Sequence, residues 1–369
     1  MKLLLVTPYY YPKIGGLEIY ARQLALALHE RHQVEITVVT SNHRGYRTSV
    51  ETIDGMTVYR LGTWFKLSNT PVNPLWSLQL RRLVRSIMPD VIHAHTPVPT
   101  MADAAALASG STPFVLTYHA ATLQKGNSRL FNLLAYLYGR YERLTFCRAV
   151  RIIAVSPYVK TALPARVQSK SAVITNAVWS STIKERIQPA TAPLIFIGSL
   201  DRTHAWKGLD LILQSVALTP DARLIIVGDG NDRSRYERLS AELGIAARVE
   251  FRGALTGSLK DLALAEAMAL IAYPTTANDA FPTVFLEAWA AGVPVIAASI
   301  GALTDLIKTG TGYLVPPYDP DALAAVITSV TSDLDTRQRV VKTATLMLRD
   351  NYTWERQSDA MFAQLEALL

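Results

Sequence analysis

The sequence predicts an α/β chain made of two doubly wound, parallel-sheet domains, and three observations lead there. At 369 residues the chain is long for one domain and comfortable for two, each with its own core. Short β-rich runs alternate with helical patterns along both halves, the signature of parallel sheets covered on both faces. The segment 178–193, with two prolines and no firm period, interrupts that alternation near the middle and reads as a hinge.

In the first half the strands are LLLV (3–6), VEITVV (34–39), MTVYRL (56–61), DVIHAH (90–95), PFVLTY (113–118), RIIAVS (151–156) and SAVIT (171–175). In the second half they are PLIFIG (193–198), ARLIIVG (222–228), RVEFRG (248–253), LIAYP (270–274), PVIAA (294–298) and GYLV (312–315). The stretch after Thr353 reads as an amphipathic helix with Thr353 as N-cap. This places residues 1–185 in an N-terminal domain, residues 186–350 in a C-terminal domain, and residues 351–369 in a helix that crosses back to the first domain. Two such sheets facing each other make a cleft at their strand C-termini, where ligands bind in doubly wound folds.

Composition narrows the class. Half of the residues are hydrophobic, yet no apolar run approaches the roughly 20 residues of a membrane span. MKLLLVTPYYYP holds a short apolar run that meets Pro8 and Pro12, so it reads as a strand and not as a signal peptide. The single cysteine, Cys147, has no neighbour for a disulfide or a metal site, which fits the cytoplasm. Charge is unevenly spread: residues 1–186 carry 22 Lys and Arg against 9 Asp and Glu, while residues 187–369 carry 15 against 21. A basic half and an acidic half point to different tasks.

Several loops at strand ends carry candidate chemistry. Gly15 and Gly16 directly precede a helix, so bare backbone and a helix N-terminus could meet an anion, although a tight turn needs the same residues. IFIGSLDRTHAWKGLDLIL puts Arg202, His204 and Lys207 between a strand and a helix, where they could hold a diphosphate or stay solvated. Gly228 and Gly230 in IIVGDGND could let a base or ribose lie against backbone, or form a loose turn. His119 follows a strand and could donate a hydrogen bond to a substrate hydroxyl. His93 and His95 form a His-x-His pair with no third ligand group near in sequence, so no metal site is expected.

In NDAFPTVFLEAWAAGVPVIA, two acids, Asp279 and Glu287, stand eight positions apart in apolar company. Pro282 suits the first turn of a helix that Gly292 and Pro294 close. Phe285, Ala288, Trp289 and Gly292 fall on one buried face, leaving Asp279 in the entering loop and Glu287 beside that face. A buried carboxylate is costly unless something pairs with it, and the acids alone would equally suit a dipole-complementing acid and a snorkelling surface Glu.

Taken in order, YYYPKIGGLEIYARQLALAL, DVIHAHTP, LTYH, IIAVSPYVK, VITNAV, KGLDLIL, IIVGDG, RVEFRG, the acid-x7-acid segment and TGYLVPPYDPDALAAVI resemble a retaining glycosyltransferase of family four, of the GT-B class with two Rossmann-like domains facing a central cleft. The resemblance covers nearly the whole chain. It implies that Glu287 binds the ribose hydroxyls of a nucleoside-diphosphate sugar and that Asp279 lies against the donor sugar. It also implies that backbone N–H groups of the turn formed by Phe281, Pro282, Thr283 and Val284, other than that of the proline, which has none, meet sugar or phosphate. Lys207 would hold the diphosphate, with Gly16 approaching it and Gly15, Ser199, Gly228 and Gly230 in the donor shell. His119 would contact the donor near the reacting carbon, and Asn176 would be structural. Cations in place of Mg²⁺ make a metal unnecessary, and no cofactor is expected.

Three departures from the family pattern stand out. Asp279 replaces the usual Glu, Ser199 replaces the usual Arg, and the loop to Lys207 is longer, which makes Arg202 a candidate for the missing cation. The basic N-terminal half would take the acceptor. Within it, residues 124–151 interleave Leu, Phe and Tyr with Lys125, Arg129, Arg140, Arg143, Arg148 and Arg151. That pattern suits a helix on an anionic membrane surface and equally one packed inward with a solvated basic face. The expected function is transfer of a hexosyl unit to a glycan or lipid-linked acceptor, by an enzyme in the cytoplasm or peripheral on the inner membrane face. The alternatives are a transferase acting on a soluble small molecule and a non-catalytic sugar-nucleotide-binding module. A dinucleotide oxidoreductase lacks its GxGxxG, and no nucleic-acid motif is present.

Overall fold

The computed structural model describes residues 1–13, 15–43, 45–67, 70–120, 129–184, 186–277 and 280–369, with the backbone alone for residues 129–135, 137 and 141. The chain divides into two compact units, Met1–Asn176 with Trp354–Leu369, and Ala177–Thr353.

The first unit runs β1 (Lys2–Val6), α1 (Gly16–His32), β2 (Glu35–Asn42), β3 (Ser49–Ile53), β4 (Met56–Gly62), β5 (Phe65–Leu67), β6 (Thr70–Val72), α2 (Trp76–Ile87), β7 (Val91–Thr96), α3 (Met101–Ala108), β8 (Phe114–Tyr118), α4 (Arg129–Arg148), β9 (Arg151–Ala154), α5 (Pro157–Ala162), α6 (Ala165–Gln168) and β10 (Ser171–Val173). Among the described residues its main sheet has the order β10-β9-β8-β7-β1-β2-β4-β3. Every pairing is parallel except β3 with β4. The central strands β1 and β7 are buried on both faces, which is why β1 reads as a continuous apolar run, while β7 carries His93 and His95 into the same buried sheet.

Two features were absent from the sequence reading. β3 turns into β4 through Asp54 and Gly55, both at positive φ, and its first four side chains are exposed, so it has no apolar period to betray it. β5 and β6 form a separate antiparallel hairpin.

The second unit runs β11 (Leu194–Ile197), α7 (Leu209–Ala217), β12 (Leu224–Val227), α8 (Arg233–Glu242), β13 (Val249–Gly253), α9 (Gly257–Glu266), β14 (Ala269–Ala272), α10 (Thr283–Ala290), β15 (Val295–Ala298), α11 (Ala302–Leu306), β16 (Tyr313–Val315), α12 (Pro320–Ser332) and α13 (Leu334–Asn351), and α14 (Trp354–Glu366) then belongs to the first unit. Its sheet is fully parallel in the order β13-β12-β11-β14-β15-β16. Alternate residues of β11 enter opposite cores: Phe196 joins α7 and α12 residues such as Leu213 and Ile327, while Ile195 joins α9, α10 and α13 residues such as Leu264, Phe285 and Leu348. Burial on both faces again selects the unbroken apolar strands.

In each unit the strand order reverses at one place. The first unit reverses between β1 and β7, the second between β11 and β14. Loops leaving the C-terminal ends of strands beside such a reversal diverge and leave a crevice. Gly15 and Gly16 follow β1, Lys207 follows β11 and Pro282 follows β14, all beside these reversals, whereas His119 follows β8 and Gly228 and Gly230 follow β12, one strand away.

Candidate active site

In the second unit, β11 ends at Ile197 and the chain continues through Gly198 to a 3₁₀ turn, Arg202–Lys207. Gly208 then starts α7 at φ +72, and a Cβ there would overlap the Tyr273 carbonyl oxygen, so glycine lets the turn lie directly on the end of β14. Thr275 N–H donates to the Trp206 carbonyl at 2.7 Å and fixes the same contact. Lys207 and Trp206 therefore share a cavity of about 30 Å³ with Tyr273, Pro274, Pro282 and Val284. The Lys207 ammonium lies 5.2 Å from the Trp206 ring centre.

The start of α10 lines the same cavity. Pro282 sits at the N-cap, one position before the first turn in which the sequence reading placed it, with φ −73 and ψ 102. Proline has no side-chain acceptor, so no side chain of its own caps the first N–H groups, and Lys207 lines the same cavity. A cation and uncapped helix N–H groups lining one cavity together favour an anion there. Phe285, Leu286, Ala288, Trp289 and Ala290 are buried, whereas Phe281, Thr283 and Val284 are partly exposed.

Glu287 lies one turn into α10, and its Oε1 accepts from Lys260 Nζ of α9 at 2.7 Å. Both side chains are about four-fifths buried, at 22% and 19% exposure, so the carboxylate is paired, as its surroundings require. Lys260 escaped the sequence reading because it belongs to a separate helix, 27 residues upstream. Asp279 lies outside the described residues.

The remaining donor-shell candidates are engaged with one another. A Cβ on Gly228 would overlap the Gly198 carbonyl, and one on Gly230 would overlap the Leu200–Asp201 backbone. Leu200 N–H donates to Asp229 O at 3.0 Å, Asn231 N–H to Asp201 Oδ1 at 3.1 Å, and Arg202 N–H to Asn231 Oδ1 at 2.8 Å. Ser199 Oγ donates to Asp201 Oδ2 at 3.0 Å. Hydrogen bonds from Asn231 N–H and Ser199 hold the Asp201 carboxyl below its ordinary pKa. These glycines thus bring two strand-end loops of the protein together. The Arg202 side chain is exposed at the far end of the 3₁₀ turn and does not line the Lys207 cavity.

In the first unit, Gly15 is the N-cap of α1, and a Cβ on it would overlap the Glu18 carboxylate, whereas Gly16 faces open space. Glu18 is buried in the first turn of α1, 3.9 Å from Lys13 Nζ, and burial raises its pKa. Its carboxylate already serves the α1 N-terminus, which leaves Gly16 as the bare position there.

His119 follows β8, its N–H donating to Thr96 O at 3.0 Å. Its Nε2 is 2.9 Å from His95 Nδ1, and the Tyr20 ring meets it edge-on at 4.9 Å. Tyr20 is anchored by its own hydroxyl, which donates to Ile174 O at 3.1 Å, and by Trp354 of α14. His93 and Thr117 share a hydrogen bond of 2.6 Å. Burial pushes the pKa of His93 and of His119 down to about 3, and that of His95 well below its ordinary value. The cluster is therefore neutral at physiological pH.

Of the basic, aromatic segment 124–151, residues 124–128 lie outside the described residues, as do the side chains up to Ala135. Along the remainder of α4, Glu142, Thr145 and Phe146 are buried, while Tyr136, Arg140, Arg143 and Leu144 are exposed. Arg148 turns inward to Ser109 Oγ and Gly110 O. Among the described residues no helix is long and apolar enough to cross a membrane.

Comparison with known proteins places this geometry. The family model described as Glycosyltransferase Family 4 matches residues 14–179, and that described as Glycosyl transferases group 1 matches residues 182–347. The chain is 26% identical over 362 residues to the lipopolysaccharide core biosynthesis glycosyltransferase LpsE of Rhizobium meliloti, covering 96% of this chain and 97% of that protein. It is 25% identical over 371 residues to the phosphatidyl-myo-inositol mannosyltransferase of Mycolicibacterium smegmatis, covering 96% and 90%. Its fold is similar to that of sucrose-phosphate synthase from Thermosynechococcus elongatus, with a TM-score of 0.81, 21% identity, and coverage of 100% and 99%. Anabaena HepE in complex with UDP-glucose gives a TM-score of 0.73 at 20% identity, with 100% of each chain covered. With successive glycosyltransferase models matching the two halves and the architecture shared with these solved structures, the chain belongs to glycosyltransferase family 4, of the group 1 type, and has the GT-B fold of two Rossmann-like domains.

Proposed function

We propose that this glycosyltransferase is a retaining hexosyltransferase that uses a nucleoside-diphosphate sugar and acts on a glycan or lipid-linked acceptor in the synthesis of surface polysaccharide or glycolipid. The observation that carries the reading is that Lys207 and the uncapped start of α10 line one small cavity, with Glu287 one turn further along the helix. A nucleoside diphosphate matches that order of groups, its phosphates at the cation and helix N-terminus and its ribose hydroxyls at the carboxylate. HepE, which shares the fold, is a UDP and UDP-glucose complex.

On this reading, departure of the nucleoside diphosphate breaks the bond between the anomeric carbon and the phosphate oxygen. Negative charge grows on the phosphate, where Lys207 and the α10 N–H groups stabilise it more in the transition state than in the ground state. The acceptor hydroxyl attacks from the same face and passes its proton to the departing phosphate, so configuration is retained. His119 hydrogen-bonds the donor sugar, Gly16 lets backbone approach the diphosphate, and Asp279 lies against the sugar ring. Arg202 supplies the cation that Ser199 lacks by moving toward the phosphates when donor binds. No metal or cofactor is required.

The acceptor assignment leans on the names of the two curated relatives, which act in lipopolysaccharide core synthesis and on phosphatidyl-myo-inositol. The exposed Arg140, Arg143, Tyr136 and Leu144 of α4 suit contact with anionic headgroups, and the protein would then work peripherally on the inner membrane face.

Calorimetric titration with UDP, GDP, ADP and their common sugars, with wild type and Glu287→Ala side by side, tests the donor reading. Saturable binding of one nucleotide that is lost in the variant supports it. Folded wild type that binds none of them overturns it in favour of a non-catalytic module. Salt-sensitive sedimentation with anionic liposomes separates a membrane acceptor from a soluble one.

A further inference from the structure

We propose that His95 is a positioning residue that fixes the tautomer of His119, donating from its own Nδ1–H to His119 Nε2 and so presenting His119 Nδ1–H as the donor available to a ligand. The inference extends the role proposed for His119.

The argument rests on counting protons. The 2.9 Å contact between His95 Nδ1 and His119 Nε2 needs one proton, and two neutral tautomer pairs can supply it. If His119 donates, His95 must carry its own proton on Nε2. That atom is buried and has no hydrogen-bond partner among the described residues. The protein would then hold an orphan N–H inside its core, the rarer and costlier kind of unsatisfied group. If His95 donates instead, its Nε2 is left as a lone pair, and no buried donor is stranded.

Sequence places the two rings for this contact. His95 and Thr117 are register partners on the parallel strands β7 and β8, so His119, two residues past Thr117, comes off the end of β8 above His95. The rings lie nearly parallel, 25° apart with centroids at 5.1 Å, and Tyr20 closes their side edge-on. Nδ1 is then the ring nitrogen of His119 without a protein partner among the described residues. A doubly protonated His119 would put a second proton against the His95 Nδ1–H, so the same contact keeps the ring neutral. Burial acts in the same direction.

Long-range ¹H–¹⁵N spectra of the full chain labelled at histidine read tautomers directly, with His119→Asn used to assign the signals. The expected wild-type result at neutral pH is a protonated Nδ1 and an unprotonated Nε2 for His119. In His95→Leu the preference should disappear, and in His95→Asn, whose carboxamide N–H can replace Nδ1–H, it should persist. Turnover should follow the tautomer, with kcat down about tenfold in His95→Leu and largely restored in His95→Asn, and little change in donor KM. A wild-type His119 protonated on Nε2, or a tautomer unchanged in His95→Leu, overturns the proposal, and the wild-type spectrum suffices should the leucine variant fail to fold. If the spectra behave as expected while turnover does not respond, His95 still fixes the ring, and it is the sugar contact of His119 that fails.

Discussion

Removing the ammonium of Lys260 should weaken nucleotide binding through Glu287 alone. The two side chains meet at 2.7 Å, each only about one-fifth exposed, and the contact occupies one of the two carboxylate oxygens. A hydrogen bond between charged groups is worth about 1.5–3 kcal/mol net, and partial burial moves this pair above the 0–1 kcal/mol typical of exposed ones. Lys260→Met therefore releases Oε1 and leaves a poorly solvated carboxylate with no fixed orientation toward a ribose. Spending about half of that energy on orientation predicts a nucleoside-diphosphate Kd raised about tenfold. Glu287→Gln, which removes the charge that the diol would meet, should cost at least as much. The assay is calorimetric titration across wild type, both single variants and the double variant. If Lys260 acts only through Glu287, the double variant binds no more weakly than Glu287→Gln alone, leaving a coupling of 1 kcal/mol or more. Additive losses would show that Lys260 touches the nucleotide independently, and an unchanged Kd in Lys260→Met would refute the positioning argument.

Lys207→Met should lower kcat about 10²–10³-fold with a smaller effect on donor KM, checked by steady-state rates, because its cation is assigned to charge that grows in the transition state. Gly228→Ala should lower the melting temperature by several degrees, since its Cβ would overlap the Gly198 carbonyl at φ +151, while Gly16→Ala, with open space around it, should leave melting unchanged and report only on donor affinity. Glu142 is a pH-dependent weakness: burial, then the nearby Asp103, raises its pKa to about 8, so between the unfolded value near 4.5 and 8 the folded state holds a proton that the unfolded state has lost. Stability must fall as pH rises through that window, and melting curves at pH 5 and 8 should show a drop in wild type that is reduced in Glu142→Gln.

The parallel strands were legible because two-sided burial demands unbroken apolar runs, and LIFI, LIIV and ALIA in the second unit carry no competing signal. β3 was not, because an edge strand with exposed side chains obeys no apolar period, and only the Asp54-Gly55 turn could have disclosed it. The glycines divide on the same physical ground. Sequence can mark Gly228 and Gly230 as places where something comes close, but whether that something is a ligand or the 198–201 backbone depends on which loops the sheet order makes neighbours. The pairings of Lys260 with Glu287 and of His95 with His119 were hidden for a related reason: they span 27 and 24 residues through helix packing and strand register, and no local motif encodes that distance.

On the proposed chemistry, the charge states assigned to the two units' residues are what the reaction requires. As the glycosidic phosphate departs, the sugar becomes cationic at its anomeric carbon and the phosphate becomes more anionic. A cation contacting the sugar would oppose the first change, and a neutral group at the phosphate would do little for the second. The residue read as meeting the sugar, His119, sits in a buried stack of histidines and Tyr20 where protonation is disfavoured, its pKa pushed down to about 3. The residue read as meeting the phosphate, Lys207, is partly exposed beside the Trp206 ring, and an aromatic face attracts a cation. A histidine kept neutral by burial can donate a hydrogen bond to a hydroxyl at any physiological pH without adding charge. His119→Lys should therefore impair turnover more than His119→Asn, which keeps a neutral donor, even though lysine also donates. Equal losses in the two variants would mean that the neutrality of this position has no bearing on the reaction.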